Sequence, residues 1–279
     1  MPKPDYLVIG AMKSATSTVI EYLEDHPDAF APPRTEPRFF SHDERWAQGT
    51  AAYETLFEGQ DGKLVGEGSN DYTFGAMYPH AAERIAGYAP DAKLLYIVRH
   101  PLDRIRSAWV QNRADSGDGV PATLDAAVRE MPDRYVDPSL YHRQLSRYLE
   151  HFPREQIWVG FAEDLRAAPE AFWTEMCGFL GLEPKLDAAV ARKEMNPSRG
   201  KSVPNERYSA VRRLPGFALM KALVPSGLRR AAKTRYFSDQ VQGLPDFSDG
   251  TRAELLKVVR PDAEALLAAC GKPRDFWAL

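Results

Sequence analysis

Residues 5–20 of the 279-residue chain read DYLVIGAMKSATSTVI. The apolar run at 7–9 is typical of a short strand, and Gly10 permits a sharp turn after it. Lys13 follows among several hydroxyl side chains, and apolar residues at helical spacing begin at Val19. The first N–H groups of a helix lack intrahelical acceptors and carry the positive end of its dipole. A strand, a lysine-bearing turn and a helix start therefore predict a site for phosphate or sulfate.

The rest of the chain alternates strand patterns with helix patterns. Residues 93–99 (KLLYIVR) and 156–161 (QIWVGF) are typical of strands buried on both faces, and residues 62–72 (GKLVGEGSNDY) of a short strand that runs into a polar loop. Helical spacing occurs at 50–58, 79–88, 101–113, 123–131, 139–151, 169–182 and 251–270, whereas 28–46 is interpreted as irregular. This alternation predicts an α/β fold, with a central, mainly parallel sheet flanked by helices in three layers.

Three polar residues follow the ends of predicted strands, namely Lys13, Ser69 and Arg99. Ligands of open α/β sheets bind beyond the carboxyl ends of the strands. We therefore expect these three side chains to converge on one site.

Composition excludes several classes of protein. The apolar fraction of 44%, the charged fraction of 27% and the net charge of −3 are those of an ordinary globular protein without a general affinity for nucleic acid. Cys177 and Cys270 lie in apolar, helix-like contexts, which predicts buried thiols rather than a disulfide framework. No stretch resembles a signal peptide or a membrane span, so we expect one soluble, cytoplasmic domain over residues 1–279.

The first turn is not a complete kinase or NTPase loop. A Walker A loop requires Gly-x-x-x-x-Gly-Lys-Ser/Thr, but here Gly10 lies three residues before Lys13 and no glycine directly precedes the lysine. A Walker B strand ends in an aspartate that helps to hold Mg²⁺, whereas the strand at 93–98 runs into Arg99. A cation there attracts phosphate and repels a metal, so we expect a phosphorylated anion and no metal.

At this point the sequence resembles the sulfotransferases that use 3′-phosphoadenosine 5′-phosphosulfate (PAPS) and release 3′-phosphoadenosine 5′-phosphate (PAP). KSATST at 13–18 resembles the family's 5′-phosphosulfate loop, and RHPLDRIRSAW at 99–109 resembles its 3′-phosphate element. TEPRFF at 35–40 and EGSNDY at 67–72 resemble Glu-x-His-Phe-Phe and Glu-Lys-Thr-Pro-x-Tyr of the heparan-sulfate branch. Four segments in the family's order imply a P-loop-like fold and sulfuryl transfer.

The same segments depart from the family pattern at four positions. Ala15 replaces the loop glycine, and Arg38 replaces the histidine of the second element. Gly68 replaces a lysine that faces the acceptor or the sulfate in relatives, and Asn70 replaces a proline. The last two changes affect the acceptor side more than the donor side.

The resemblance implies roles for the donor-binding residues. Lys13 is expected to stabilise the transferring group, and the 5′-phosphate is expected to lie on Lys13, Ser14, Ala15, Thr16, Ser17 and Thr18. Arg99 and Ser107 are expected to hold the 3′-phosphate, and Arg199, Gly200 and Lys201 to cover the nucleotide. The residues alone leave alternatives: Arg99 could pair with Asp103, and Thr16 or Ser17 could be a plain helix cap. Arg104 and Arg106 are expected to be structural or solvated.

Glu36 is the candidate general base, with Lys13 as its catalytic partner. Cytosolic relatives use a histidine after the second sheet strand, but residues 66–72 contain none, which favours a carboxylate. His42 and Asp71 are the fallback bases.

Residues 207–237 contain eight Arg or Lys residues and no acid, interleaved with apolar residues. This pattern predicts a basic amphipathic insertion. It is either an ordinary helical hairpin with a solvated basic face, or a candidate lid over the acceptor that contacts an amphiphilic substrate or a membrane surface.

The expected activity is transfer of a sulfuryl group from PAPS to a hydroxyl of a small-molecule, glycan or glycolipid acceptor. The competing hypotheses are a P-loop kinase or NTPase and a non-catalytic nucleotide-binding protein. The sequence identifies neither the acceptor nor the oligomeric state.

Overall fold

A computed structural model describes residues 3–33, 36–116, 119–185, 202–204, 238–240 and 244–279. Its central feature is a five-stranded sheet in which every strand pair is parallel. The strands are β1 (Tyr6–Gly10), β2 (Ala29–Phe30), β3 (Leu64–Gly68), β4 (Lys93–Val98) and β5 (Ile157–Phe161), in the order β2-β3-β1-β4-β5. The predicted α/β fold with a parallel sheet is confirmed.

Helices cover both faces of this sheet. They are α1 (Thr16–Asp25), α2 (Asp43–Trp46), α3 (Ala51–Glu54), α4 (Ala81–Tyr88), α5 (Pro101–Ser116), α6 (Leu124–Glu130), α7 (Pro132–Tyr135), α8 (Tyr141–Leu149), α9 (Ala162–Ala167), α10 (Pro169–Leu180) and α11 (Asp249–Ala269). Short 3₁₀ turns lie at Thr55–Phe57, Asn70–Thr73, Asp137–Ser139 and Arg154–Gln156. Two further strands, β6 (Ser202–Pro204) and β7 (Ser238–Gln240), form an antiparallel pair.

Alternation along β1 produces the three layers. Successive strand residues point to opposite faces, and every residue of β1 is buried. Tyr6 and Val8 pack with residues of α1 and α10, whereas Leu7 and Ile9 pack with residues of α4, α8 and α11. Such burial on both faces explains why these strands are apolar throughout.

The interpretation of residues 28–46 as irregular is wrong at both ends. Ala29 and Phe30 form β2 at the edge of the sheet, where Ala29 pairs with Leu64 of β3. Two residues are too few for any period of two to be visible, so the pairing depends on β3 rather than on a local signal. Asp43–Trp46 forms the single turn α2, which is likewise too short for a helical pattern.

Among the described helices, none is both long and apolar enough to cross a membrane.

Candidate active site

The sheet order brings the predicted site residues together. Because β1 lies between β3 and β4, the carboxyl ends of these three strands meet at one edge. Arg99, which follows β4, donates from Nη1 to the carbonyl oxygen of Lys13, which follows β1, at 3.2 Å. Arg99 also lies 3.6 Å from Asp103 of α5. The alternative ion pair is therefore present together with the contact to the loop.

The loop from β1 to α1 has an unusual backbone. Lys13 and Ala15 have left-handed φ angles of 71° and 70°. Gly10 passes so close to Thr73 that a Cβ atom would lie 2.2 Å from the threonine Oγ1. Ala15 is itself the N-cap of α1, and no side chain caps the helix. Thr16 and Ser17 are therefore not plain helix caps. The Thr18 N–H is bonded to the Ala15 carbonyl oxygen at 3.0 Å, so the N–H groups that would face an anion are those of Thr16 and Ser17.

Ala15→Gly should preserve or improve binding of PAP. A non-glycine residue at φ 70° is strained, and glycine adopts this conformation without steric cost. We expect affinity to stay the same or to rise by about 5-fold, equal to about 1 kcal/mol. Isothermal titration calorimetry measures this value, with Ala86→Gly in α4 as a matched control. A large loss of affinity would contradict the loop geometry described above.

The Lys13 side chain connects the loop to α5. Its Nζ donates to Oε1 of Gln111 at 3.3 Å. Gln111 lies one helical turn after Ser107, which is 2% exposed, so both project from the same side of α5. Ser107 thus lies on the side of α5 from which Gln111 contacts Lys13.

Glu36 is held by two neighbours, both of which depart from the family pattern. Arg38 donates from Nη2 and Nε to Oε2 of Glu36, at 2.9 and 3.1 Å. Asn70 donates from Nδ2 to Oε1 of Glu36 and accepts from Oγ1 of Thr16 at 3.0 Å. Glu36 is therefore joined through one side chain to the first residue of α1.

The fallback bases are paired with each other. His42 Nε2 lies 3.0 Å from Oδ2 of Asp71, and Nδ1 of the same ring lies 3.2 Å from Oε1 of Glu44. Arg38 also approaches Asp71, at 3.4 Å. Asp71 thus contacts His42 and Arg38, whereas Asn70 is the side chain that joins Glu36 to the α1 start.

A groove of about 600 Å³ opens beside Glu36. It runs between α1 and the end of β3 and is lined by Val8, Thr16, Ser17, Ile20, Glu21, Glu24, Asp25, Glu36, Gly68 and Asn70. A Cβ atom at Gly68 would lie 2.4 Å from Cδ1 of Ile20, so Ile20 occupies the space that a side chain at position 68 would need. A lysine at position 68 would therefore require Ile20 to move.

Two ionisable residues, Arg104 and Glu67, are fully buried. Arg104, expected to be structural or solvated, is 0% exposed, and its Nη2 donates to the carbonyl oxygen of Tyr135 at 3.2 Å, which agrees with a structural role. Sequence reasoning assigned no role to Glu67 of β3, which is also 0% exposed and accepts hydrogen bonds from three hydroxyls. The available signal was an acid inside an otherwise buried segment.

Some predicted features lie outside the described residues. They are Arg199, Gly200 and Lys201, and the basic segment 207–237, all of which stay predictions. Within the described ranges, no three His, Cys, Asp or Glu residues cluster as a metal site would require.

The fold and this edge of the sheet are those expected of an α/β protein that binds an anion, with a lysine in the loop before a helix and an arginine after the neighbouring strand. The family profile described as "Sulfotransferase domain" matches residues 3–213. The chain belongs to this family of enzymes, and the resemblance found in the sequence is confirmed.

Relatives in the heparan-sulfate branch are similar over the same region. Heparan sulfate glucosamine 3-O-sulfotransferase 3B1 from Homo sapiens is 29% identical over 188 residues, covering 64% of this chain and 46% of that protein. Heparan sulfate glucosamine 3-O-sulfotransferase 6 from Mus musculus is 30% identical over 187 residues, covering 64% and 53%. The chain thus spans about half the length of these curated relatives.

Solved structures agree with the fold. A sulfotransferase from Alicyclobacillus acidocaldarius matches with a TM-score of 0.68 and 25% identity, covering 100% of both chains. A mouse sulfotransferase complexed with PAP has a TM-score of 0.53 and 15% identity, covering 93% of this chain and 83% of that one, and so shares the fold.

Proposed function

We propose that this chain is a single-domain sulfotransferase that moves a sulfuryl group from PAPS to an acceptor hydroxyl. The observation that carries the proposal is the hydrogen-bonded chain from Glu36 through Asn70 to Thr16. It supports the proposal because it joins the candidate base to an uncapped helix start, which directly follows the turn that contains Lys13. A base and an anion cradle in contact are what transfer to a hydroxyl requires.

The described residues fit the donor. The α1 start supplies N–H groups for the 5′-phosphosulfate, and Lys13 lies in the same turn. Arg99, bonded to the Lys13 carbonyl, supplies a forked cation for the 3′-phosphate, together with Ser107 on α5. PAPS would supply the activated sulfuryl group, and PAP would be the product.

In this mechanism Glu36 accepts the proton of the acceptor hydroxyl while the oxygen attacks sulfur. Lys13 stabilises the negative charge that develops on the oxygen that leaves. Arg38 and Asn70 orient the carboxylate of Glu36 before the acceptor arrives. Positioning and electrostatics carry the reaction, as in phosphoryl transfer.

We infer that the acceptor enters the groove between α1 and β3, since Glu36 lies on its wall. The curated relatives are named for heparan sulfate, a glycan. A small-molecule, glycan or glycolipid acceptor is therefore proposed, and the cytoplasmic location stays a prediction of the sequence.

Calorimetric titration should separate this function from the kinase and NTPase alternatives. We expect PAP to bind about 100-fold more tightly than ATP with Mg²⁺, because the 3′-phosphate adds charge-assisted hydrogen bonds of about 1.5–3 kcal/mol. Tighter binding of ATP with Mg²⁺ would reject the proposal. PAP binding without sulfate transfer, either to water or to any hydroxyl compound tested, would favour a non-catalytic nucleotide-binding protein.

A further inference from the structure

Glu67 is a buried carboxylate that the mechanism above does not use. Its side chain is 0% exposed near the carboxyl end of β3, the strand next to β1. Oε1 accepts from the hydroxyls of Tyr72 at 2.6 Å and Tyr53 at 3.3 Å, and Oε2 accepts from Oγ of Ser69 at 2.9 Å. A buried carboxylate is costly unless it is hydrogen-bonded, and an apolar residue would fill the same space at less cost.

Ser69 connects this carboxylate to the candidate base. Because the Ser69 proton is donated to Glu67, an oxygen lone pair is directed to the backbone N–H of Arg38, which lies 2.8 Å away. The Ser69 N–H is bonded to the carbonyl oxygen of Val8 at 3.1 Å, which anchors Ser69 to β1. Ser69 is thus held in place, and the backbone turn that contains Arg38 (the Arg38 turn) is attached to it.

Arg38 connects Ser69 to Glu36. Its φ of 53° lies in the left-handed region, which an arginine adopts only where its surroundings hold it. The same residue holds Oε2 of Glu36 through two donors. Hydrogen bonds therefore join Glu67 to Ser69, Ser69 to Arg38, and Arg38 to Glu36.

We propose that Glu67 is a positioning residue for the base, and that its carboxylate orients the Ser69 hydroxyl, which fixes the Arg38 turn that presents Glu36 to the acceptor. The proposal rests on the proposed sulfotransferase function. It assigns Glu67 no contact with donor or acceptor.

The charge state of Glu67 should make this positioning depend on pH. Burial raises the pKa of Glu67 to about 7, against the opposing effect of its three hydroxyl donors and with a further contribution from the charge of Glu36. The other titratable groups that face it are Tyr6, Tyr53, Tyr72 and Tyr148, whose own pKa values are raised by burial, so they stay neutral. The ionised carboxylate accepts from all three hydroxyls, whereas a protonated carboxyl carries an O–H that would donate to one of the three hydroxyl oxygens, which then no longer donates to Glu67.

The folded protein is also less stable when Glu67 is ionised. The pKa in the folded protein lies above that of an ordinary carboxyl, so the native state binds the proton more tightly than the unfolded state does. The stabilising contribution is fully present below the ordinary pKa and is lost as pH rises through about 7. The ionised form of Glu67, which is proposed to position the base, therefore lowers the stability of the folded protein, as is common at functional sites.

Two variants test the proposal, Glu67→Gln and Ser69→Ala, with Glu58→Gln as a surface control. Hydrogen exchange of a peptide covering residues 36–42 reports on the Arg38 turn without any acceptor. Turnover is measured with ³⁵S-labelled PAPS, using octyl β-D-glucoside, chitotriose and water as sulfuryl acceptors. PAP affinity is measured by calorimetry.

Both variants should exchange faster over residues 36–42 and should lose about 10- to 100-fold in kcat, with PAP affinity unchanged. The fall in wild-type kcat below pH 7 should be absent in Glu67→Gln, and so should the wild-type fall in Tm between pH 6 and pH 8. A merely structural role would lower Tm but leave the pH profile of kcat unchanged.

The proposal is overturned if Ser69→Ala retains wild-type exchange and kcat, whatever the folding of Glu67→Gln. It is also overturned if Glu67→Gln keeps the wild-type fall in kcat below pH 7. If wild-type protein transfers no label to any of the three acceptors, the sulfotransferase function fails instead, and the exchange data decide separately whether Glu67 holds the turn.

Discussion

Glu36→Gln is expected to lower turnover by about 10²- to 10⁴-fold, which is the usual contribution of a general base. Glutamine keeps the shape of the side chain and an acceptor for Arg38, whose two donors now reach Oε2 of Glu36. It removes the group that takes the acceptor proton. PAP affinity should stay within about 2-fold, since the residues proposed to contact PAP lie at the α1 start and at Arg99, not at Glu36.

Steady-state transfer of ³⁵S label and calorimetry with PAP measure the two quantities separately. Glu58→Gln is the matched control, because Glu58 is exposed and lies outside the site. Asp71→Asn should lose less than about 10-fold, since Asp71 is proposed to support Arg38 and His42 rather than to take the proton. If Asp71→Asn loses more than Glu36→Gln, the base assignment is wrong and the fallback base acts instead.

The site could be predicted from sequence where the signal is local. Lys13 and Arg99 each follow an apolar strand run, and the rule that ligands bind at the carboxyl ends of parallel strands was enough to bring them together. For two of the three predicted residues the structure shows a contact, a hydrogen bond of 3.2 Å between Arg99 and the Lys13 carbonyl, whereas the Ser69 hydroxyl is bonded to Glu67 and to the Arg38 N–H. The parallel sheet was predictable for the same reason, because its strands are buried on both faces.

What depends on tertiary contacts could not be predicted. Glu67 is an acid inside an otherwise buried strand, but its partners could not be predicted, since Tyr53 comes from α3 and Tyr72 from the 3₁₀ turn after β3. The edge strand β2 is two residues long and exists through its pairing with β3. The left-handed backbone of Ala15 was not visible either, although the departure from the family glycine marked the position.

The structure gives one reason for two of the departures from the family pattern, at positions 38 and 70. Arg38 and Asn70 replace a histidine and a proline of the family pattern, and each donates a hydrogen bond to a different oxygen of Glu36. Proline has no side-chain donor, so the family residue at 70 could not make this bond. Both changes therefore concern the holding of the candidate base, and Asn70 also contacts Thr16 at the start of α1.

Lys13→Ala is the second large effect expected, with a loss of about 10²- to 10³-fold in kcat, as for removal of one donor at a developing negative charge. The change separates two functions of one residue. The carbonyl of Lys13 is held by Arg99 and remains in the variant, so the loop keeps an anchor, whereas Nζ and its bond to Gln111 are lost.

PAP affinity should therefore fall much less than kcat, by about 10-fold or less, because PAP lacks the sulfuryl group whose transfer the lysine is proposed to assist. Lys63→Ala, an exposed lysine before β3 at the opposite end of the sheet, is the control for loss of one positive charge. Equal losses in kcat and in PAP affinity would mean that Lys13 acts only in binding. Arg99→Ala should show the contrasting pattern, with PAP affinity lost first, because Arg99 is proposed to contact the 3′-phosphate and also anchors the loop that carries the lysine.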